Sequence, residues 1–214
     1  MALLLLIRHA VTEATGKRLS GWAPDIHLSE RGREQASRLV DRLAPVRIAA
    51  LYSSPLERCR ETAEPLASAR GLEVRDTDDL GEVRYGDWTG RSLAQLSRTR
   101  LWRSVQQTPS AVRFPGGETL LEVQERAVRQ VAAIASGHPK GVVALVSHGD
   151  VIRLLLAHYA GLHVDLFQRL VVSPASVSVV AAGDGIPRII RVNDTGGLRD
   201  LAPPRERRRP KVGG

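Results

Sequence analysis

The sequence has very little cysteine and few aromatic residues. Its 214 residues include one cysteine, Cys59, so no disulfide can form within the chain and a reducing compartment is expected. The apolar run at residues 2–7 is far shorter than the roughly 20 residues that cross a bilayer. It also lacks the charged leader and cleavage site of a signal peptide. We therefore expect a cytoplasmic protein with no membrane partner.

No group of cysteines and histidines has the spacing of a zinc site, so we expect neither a metal nor a cofactor. The composition, 43% hydrophobic and 25% charged, is that of a globular protein and excludes a largely disordered chain. A chain of this length is most simply one domain. We place that domain at residues 1–198 and a separate tail at residues 199–214.

The tail carries half of the net charge of +8, because it contains six basic and two acidic residues. Its proline- and arginine-rich composition predicts a disordered segment. Basic tails can bind nucleic acid. No aromatic residues are interleaved with these charges to stack on bases, which argues against a nucleic-acid partner.

Two short apolar strands each end at a histidine. Residues 3–7 lead into Arg8 and His9, and residues 142–146 lead into Ser147 and His148. Ligands of open α/β sheets bind at the carboxyl ends of such strands. The two histidines, one beside an arginine, therefore indicate an anion site at this edge.

Strand and helix patterns alternate along the chain. They predict an α/β fold, a three-layer sandwich with a mostly parallel central sheet flanked by helices. The signals are a helix from Ser29 to Pro45, a strand at 47–53, a helix from Ser54 to Gly71, a strand at 73–77, helices at 92–107, 118–137 and 150–159, and a closing hairpin at 177–181 and 188–192. The second helix has the strongest start, with Ser54 as N-cap, Pro55 in the first turn and Glu57 closing a capping box.

Phosphoryl transfer is the chemistry that best fits the residues at this edge. Arg8 and Arg58 offer forks of donors that match phosphate oxygens. His9 could attack phosphorus through one ring nitrogen, and His148, protonated beside a bound anion, would add a third positive charge. The departing alcohol needs a proton, and Glu82 is the best donor, although spacing alone does not separate it from Asp79 or Asp87.

Five motifs occur in the order found in the histidine phosphatase superfamily, the phosphoglycerate-mutase-like group, which the chain resembles over roughly residues 3–182. They are Arg8-His9-Ala10, the segment 53–63 that contains Arg58, the segment 82–90, the segment 115–119, and Ser147-His148-Gly149. The resemblance implies a phosphoglycerate-mutase-like fold and a metal-independent phosphatase. In it His9 becomes phosphohistidine, Arg8, Arg58 and His148 form the phosphate pocket, and Glu82 donates the proton and later activates water.

The resemblance also suggests substrate contacts and shows two departures. Thr12 matches a small hydroxyl residue after the nucleophile, and Arg18 or Lys17 matches a further basic residue. Ala10 replaces the usual glycine, and Thr15 stands where many members carry asparagine. We expect five residues to contact the substrate: Thr12, Thr15, Arg18, Tyr85 and Gly149.

We therefore expect a phosphomonoester hydrolase acting on a small phosphorylated metabolite. The segment 91–114 is shorter than the insertion of the glycolytic mutases, which favours hydrolysis over isomerisation. A phosphomutase that uses the same phosphohistidine is one alternative. A non-catalytic module that binds phosphorylated ligands is another. The sequence leaves open whether the chain forms a homodimer.

Overall fold

The computed structural model describes residues 1–196, and its centre is a six-stranded sheet. The strands are β1 (Ala2–Arg8), β2 (Ala50–Ser53), β3 (Val74–Asp76), β4 (Val142–Ser147), β5 (Val177–Ala182) and β6 (Arg188–Asp194). Their order is β3-β2-β4-β1-β5-β6. Strands β1 to β4 are parallel to one another. Strand β5 runs antiparallel to both of its neighbours, β1 and β6. The tail predicted at 199–214 lies outside the described residues.

Helices cover both faces of this sheet. They are α1 (Glu30–Arg42), α2 (Glu57–Arg70), α3 (Leu93–Leu96), α4 (Arg100–Gln107), α5 (Leu120–Gly137) and α6 (Gly149–Ala160). Short 3₁₀ helices lie at Asp78–Leu80, Gly86–Trp88, Pro109–Ala111 and Val164–Arg169. The predicted α/β sandwich with a mostly parallel sheet is confirmed. Within residues 1–196, none of these helices has the length and apolar character needed to cross a membrane.

Strand β1 shows why the core has two layers. Side chains alternate between the faces of a strand. Leu4 and Leu6 accordingly pack with residues of α5 and α6, whereas Leu5 and Ile7 pack with residues of α1 and α2. A strand with both faces covered reads as a continuous apolar run, which is how β1 and β4 appear in the sequence.

The predicted ends of several helices are confirmed. Ser29 is the N-cap of α1, and its side chain accepts a hydrogen bond from the Gly32 amide. Gly71 ends α2 in the left-handed conformation, at φ 62°. Thr119 and Glu122 form a capping box at the start of α5.

The prediction that Ser54 caps α2 is wrong. The helix begins at Glu57 after Leu56, which makes no side-chain capping bond. The Ser54 hydroxyl is instead 2.8 Å from Nε2 of His148. The Ser54 hydroxyl, which the local pattern assigned to the start of α2, therefore bonds to a residue distant in the chain.

The single helix predicted at residues 92–107 is also wrong. The chain forms α3, turns at residues 97–99, and starts α4 with the Thr99 hydroxyl accepting from the Trp102 amide. Strand β2 is shorter than the predicted 47–53, and β3 is shorter than the predicted 73–77. The hairpin of β5 and β6 forms as predicted.

Candidate active site

Strand register brings the site residues together. Arg8 of β1 lies opposite Ser147 of β4, and the His9 amide donates to the Ser147 carbonyl at 2.8 Å. The Ser54 amide, just beyond β2, donates to the Val146 carbonyl. Three adjacent strands thus end at the same level, which delivers His9, His148 and the start of α2 to one edge of the sheet. Arg58 comes from the first turn of α2, five residues after the last residue of β2.

These residues surround a cavity of about 240 Å³, which we call the anion cavity. All the predicted site residues except His148 line it. They are Arg8, His9, Thr12, Thr15, Arg18, Arg58, Glu82, Tyr85 and Gly149. His148 is fully buried, and its ring lies 5.3 Å from that of His9, centroid to centroid. The convergence predicted from the sequence is therefore present.

Arg58 is buried and Arg8 is half-buried, and each has a donor without a protein partner. Nη1 of Arg8 donates to the Val172 carbonyl at 2.7 Å, and Nη2 of Arg58 donates to the Gly21 carbonyl at 2.8 Å. Nε of Arg8 and Nη1 of Arg58 are buried and have no acceptor among residues 1–196. Burial lowers the pKa of Arg8. A buried cation with unpaired donors is costly, and an anion in the cavity would satisfy it.

The hydrogen bond of His9 fixes which ring nitrogen is reactive. Nδ1 lies 2.8 Å from the Ala10 carbonyl, and a carbonyl can only accept, so Nδ1 carries the proton. Nε2 is left with its lone pair. Burial, followed by the charges of Arg58 and Arg8, lowers the His9 pKa to about 3. The imidazole is therefore neutral and nucleophilic over the ordinary pH range.

In this structure His148 is neutral, although the sequence analysis assigned it a positive charge beside a bound anion. Nη2 of Arg58 approaches Nδ1 of His148 at 3.2 Å, and a guanidinium can only donate, so Nδ1 accepts. Nε2–H then donates to Ser54. Burial, with the charge of Arg58 next, lowers the His148 pKa well below its usual value. The third positive charge predicted for the site is thus not in place before an anion binds.

The structure distinguishes Glu82 from Asp79 and Asp87, the other two candidates for the proton donor. Only Glu82 of the three lines the anion cavity, and Asp87 is exposed. One Glu82 oxygen accepts from the Val83 amide at 3.0 Å, and the other lies 3.8 Å from Nδ1 of His148. Burial, followed by the charge of Asp150, raises the Glu82 pKa to about 7. The carboxyl can hold a proton close to neutral pH, as a general acid requires.

The five candidate substrate contacts also line the anion cavity, and most of them have hydrogen-bond partners in the protein. The Thr15 hydroxyl accepts from the Thr12 amide and lies 3.0 Å from the Thr12 hydroxyl. Nη1 of Arg18 donates to the Gly90 carbonyl at 3.2 Å. A Cβ on Gly149 would lie 3.2 Å from the Arg8 guanidinium, so glycine leaves room for that group. The Tyr85 hydroxyl donates to Asp150 at 2.8 Å.

Sequence reasoning missed Asp150 and Arg153, which also line the cavity. Nη1 of Arg153 donates to Asp150 at 2.9 Å. Their spacing of three residues at the start of α6, directly after His148, was the available signal, since such residues share a helix face. Among residues 1–196, no group of three or more histidine, cysteine, aspartate or glutamate side chains is arranged to hold a metal ion. Cys59 is fully buried, with its sulfur 3.4 Å from Nε2 of His148.

Arg126 was missed as well, and it holds the backbone that carries Glu82. Nη1 of this α5 residue donates to the carbonyls of Asp79 and Gly81, at 2.8 and 3.0 Å. Nη2 donates to the carbonyl of Glu82 at 3.0 Å. Glu118 pairs with the same guanidinium at 3.0 Å. Arg126 is therefore a positioning residue for Glu82.

A model of the histidine phosphatase superfamily (branch 1) matches residues 4–195. Phosphoserine phosphatase 1 of Hydrogenobacter thermophilus is 31% identical over 199 residues, which cover 91% of this chain and 93% of that protein. A probable phosphoglycerate mutase, GpmB of Cronobacter sakazakii, is 32% identical over 183 residues, covering 84% of this chain and 85% of that one.

Solved structures agree with these sequence relatives. YhfR of Bacillus stearothermophilus superposes with a TM-score of 0.85 at 29% identity, covering 91% of this chain and 98% of that one. A mycobacterial glucosyl-3-phosphoglycerate phosphatase in complex with VO3 superposes with a TM-score of 0.81 at 30% identity, covering 90% and 98%.

Replacing Arg126 with leucine should release the Glu82 backbone and lower kcat for alkyl phosphates by about tenfold, within the range for a misplaced general acid. Water would then reach Glu82, its pKa would fall towards the usual value, and the alkaline limb of the kcat/KM profile would move to lower pH. Arg126→Lys should restore part of the activity. Arg129→Leu, on the exposed face of the same helix, is the control. A folded Arg126→Leu protein with an unshifted limb would contradict the positioning role.

Proposed function

The chain belongs to the histidine phosphatase superfamily and is a phosphatase, and we propose that His9, Glu82, Arg8 and Arg58 perform its reaction through a phosphohistidine. The observation that carries the proposal is the juxtaposition of a neutral His9 with two guanidinium groups, each of which has one buried donor without a protein acceptor among residues 1–196. One tetrahedral anion can satisfy those donors and place its phosphorus before Nε2 of His9.

The first half-reaction transfers the phosphoryl group to His9. Nε2 attacks phosphorus, the N–P bond forms, and the ester P–O bond opposite it breaks. Glu82 gives its proton to the departing oxygen, so the alcohol leaves neutral and the carboxyl becomes a carboxylate. Arg8 and Arg58 stabilise the negative charge on the non-bridging oxygens throughout, which is the main catalytic requirement of phosphoryl transfer.

The second half-reaction restores both residues. The Glu82 carboxylate takes a proton from a water molecule, and that water attacks phosphorus. The P–N bond breaks, phosphate leaves, and His9 regains its lone pair while Glu82 is again protonated. A pKa of about 7 suits both steps, because the group must give and take a proton near neutral pH.

His148 has two successive tasks in this proposal. Before substrate binds, its neutral ring accepts from Arg58 and donates to Ser54, which orients the guanidinium. A bound phosphate dianion would favour protonation of the ring, and the protonated ring would supply the third positive charge that the sequence predicted. Thr12, Thr15, Arg18, Tyr85 and Gly149 complete the wall of the cavity.

Hydrolysis of a small phosphorylated metabolite is the activity that best fits both the site and the relatives. Relatives are named for phosphoserine and for glucosyl-3-phosphoglycerate. One is named a probable phosphoglycerate mutase, so transfer to a second oxygen of the bound substrate is the competing outcome. Isotope exchange between two phosphorylated positions that outpaces phosphate release would favour the mutase. We further propose a cytoplasmic location, which fits the single buried cysteine.

His9→Ala should lower kcat/KM for p-nitrophenyl phosphate by more than about 1,000-fold, because no other group can form the phosphoenzyme. Steady-state assays at neutral pH measure this loss. His158→Ala, which removes an exposed imidazole from α6, should retain normal activity. Hydrolysis by His9→Ala at the rate of the wild type would show that this mechanism is wrong.

Glu82→Gln should lower kcat/KM for alkyl phosphates by about 10²- to 10⁴-fold and for p-nitrophenyl phosphate by much less, because kcat/KM reports the steps up to the phosphoenzyme and a good leaving group needs little protonation. In the wild type, kcat/KM for alkyl esters should fall as the pH rises through about 7, where Glu82 loses its proton. The glutamine variant should lack this limb. Asp87→Asn is the matched control. An equal loss on both substrate classes would argue against the acid role.

A further inference from the structure

A second cavity, of about 330 Å³, adjoins the anion cavity. We call it the aromatic cavity, because five of its twelve lining residues are aromatic. Its apolar lining includes Tyr85, Trp88, Trp102, Val105, Phe114 and Phe167. The proposed phosphoryl chemistry involves none of these side chains except Tyr85.

The two cavities share part of their walls. Leu19, Tyr85, Asp150 and Arg153 line both. A substrate with its phosphate between Arg8 and Arg58 could therefore extend its alcohol portion past Tyr85 and Arg153 into the aromatic cavity. This continuity makes the substrate itself the occupant that the aromatic cavity suits.

The rings of the wall pack on one another. Phe114 meets Tyr85 edge-on at 5.0 Å between centroids and Trp88 at 5.5 Å. Trp88 stacks on Trp102 at 6.1 Å. Such mutual packing holds each ring in place, so a flat apolar group can stack in the aromatic cavity at little cost in ordering the protein.

Four polar side chains of this wall, those of Tyr85, Asp150, Arg153 and Gln168, already have protein partners. The Tyr85 hydroxyl and Arg153 both bond to Asp150, and Nε of Arg153 donates to the Leu170 carbonyl at 3.0 Å. The Gln168 amide donates to the Val105 carbonyl. A sugar or an amino acid placed here would give up hydrogen bonds to water and regain few, whereas an apolar ring would lose none.

Building on the proposed function, we propose that the enzyme acts on phosphomonoesters whose alcohol carries a flat, largely apolar ring, and that the aromatic cavity binds this ring. Burial of an aromatic group of this size should raise kcat/KM by about 10- to 100-fold. The relatives named for phosphoserine and for a glucosylated phosphoglycerate would then differ from this chain in the leaving group they accept.

The test compares 2-(1-naphthyl)ethyl phosphate with ethyl phosphate and phosphoserine. Naphthylethanol and ethanol are both primary alcohols, so the chemical step makes similar demands and the ratio of their kcat/KM values reports ring binding. We expect the naphthyl ester to be favoured at least about tenfold over each of the other two. A ratio near one would overturn the proposal.

Two variants locate the preference in the aromatic cavity. Val105→Phe and Gln106→Trp each add a ring to this cavity, at residues that do not line the anion cavity. Both should reduce the naphthyl-to-ethyl ratio to near one and leave ethyl phosphate turnover unchanged. Gln106 is exposed, so its variant should fold even if Val105→Phe does not. Gln107→Phe, on the same helix but outside the cavity, is the control. A ratio that both variants leave unchanged would also overturn the proposal.

Binding of non-hydrolysable phosphonates separates this proposal from the proposed mechanism. Calorimetry should show tighter binding of 2-(1-naphthyl)ethylphosphonate than of ethylphosphonate, and Gln106→Trp should remove the difference. Turnover that depends on His9 with no naphthyl preference would leave the phosphatase mechanism intact and reject the ring site. Selective phosphonate binding without turnover that depends on His9 would do the reverse.

Discussion

Two guanidinium groups, each with a buried and unpaired donor, lie beside one histidine and are the constraint around which this edge of the sheet is built. Arg8 and Arg58 each give one donor to a main-chain carbonyl and keep another without a protein acceptor among residues 1–196. Such an arrangement is unfavourable unless an anion occupies the space between them. The strand register of β1, β4 and β2 places both side chains at this edge, and packing on both faces of the sheet offsets the cost.

The same pair of charges sets the chemistry of its neighbours. Burial together with Arg58 and Arg8 keeps His9 neutral, so its lone pair is available without a separate base. Glu82 experiences the opposite balance, because burial and the charge of Asp150 outweigh the two arginines and hold its proton near neutral pH. A nucleophile that is neutral at pH 7 and an acid that can hold a proton near pH 7 thus arise from one environment.

Much of this arrangement could be predicted from the sequence. Buried parallel strands leave continuous apolar runs, so β1 and β4, and with them His9 and His148, stand out clearly. Glu82 was found but not separated from Asp79 and Asp87, because its burial beside the cavity depends on how an irregular segment folds. Asp150, Arg153 and Arg126 were missed, since their roles consist of contacts with residues distant in the chain.

The wrong predictions have the same origin. Ser54 has the right neighbours for an N-cap, but His148, 94 residues later, takes its oxygen. One helix was predicted at 92–107, whereas Thr99 caps a new helix within that segment. In both segments the local pattern indicates a helix, but a tertiary contact or a competing N-cap determines where the helix begins.

Trapping the phosphoenzyme tests the central claim most directly. Rapid quenching in alkali during turnover of a labelled aryl phosphate, followed by peptide mapping and phosphorus NMR, identifies the modified atom. The account predicts an acid-labile, alkali-stable phosphoryl group on Nε2 of His9, because Nδ1 carries a proton and bonds to Ala10. A phosphoryl group on Nδ1 or on another residue, or turnover with no phosphoenzyme, would contradict it.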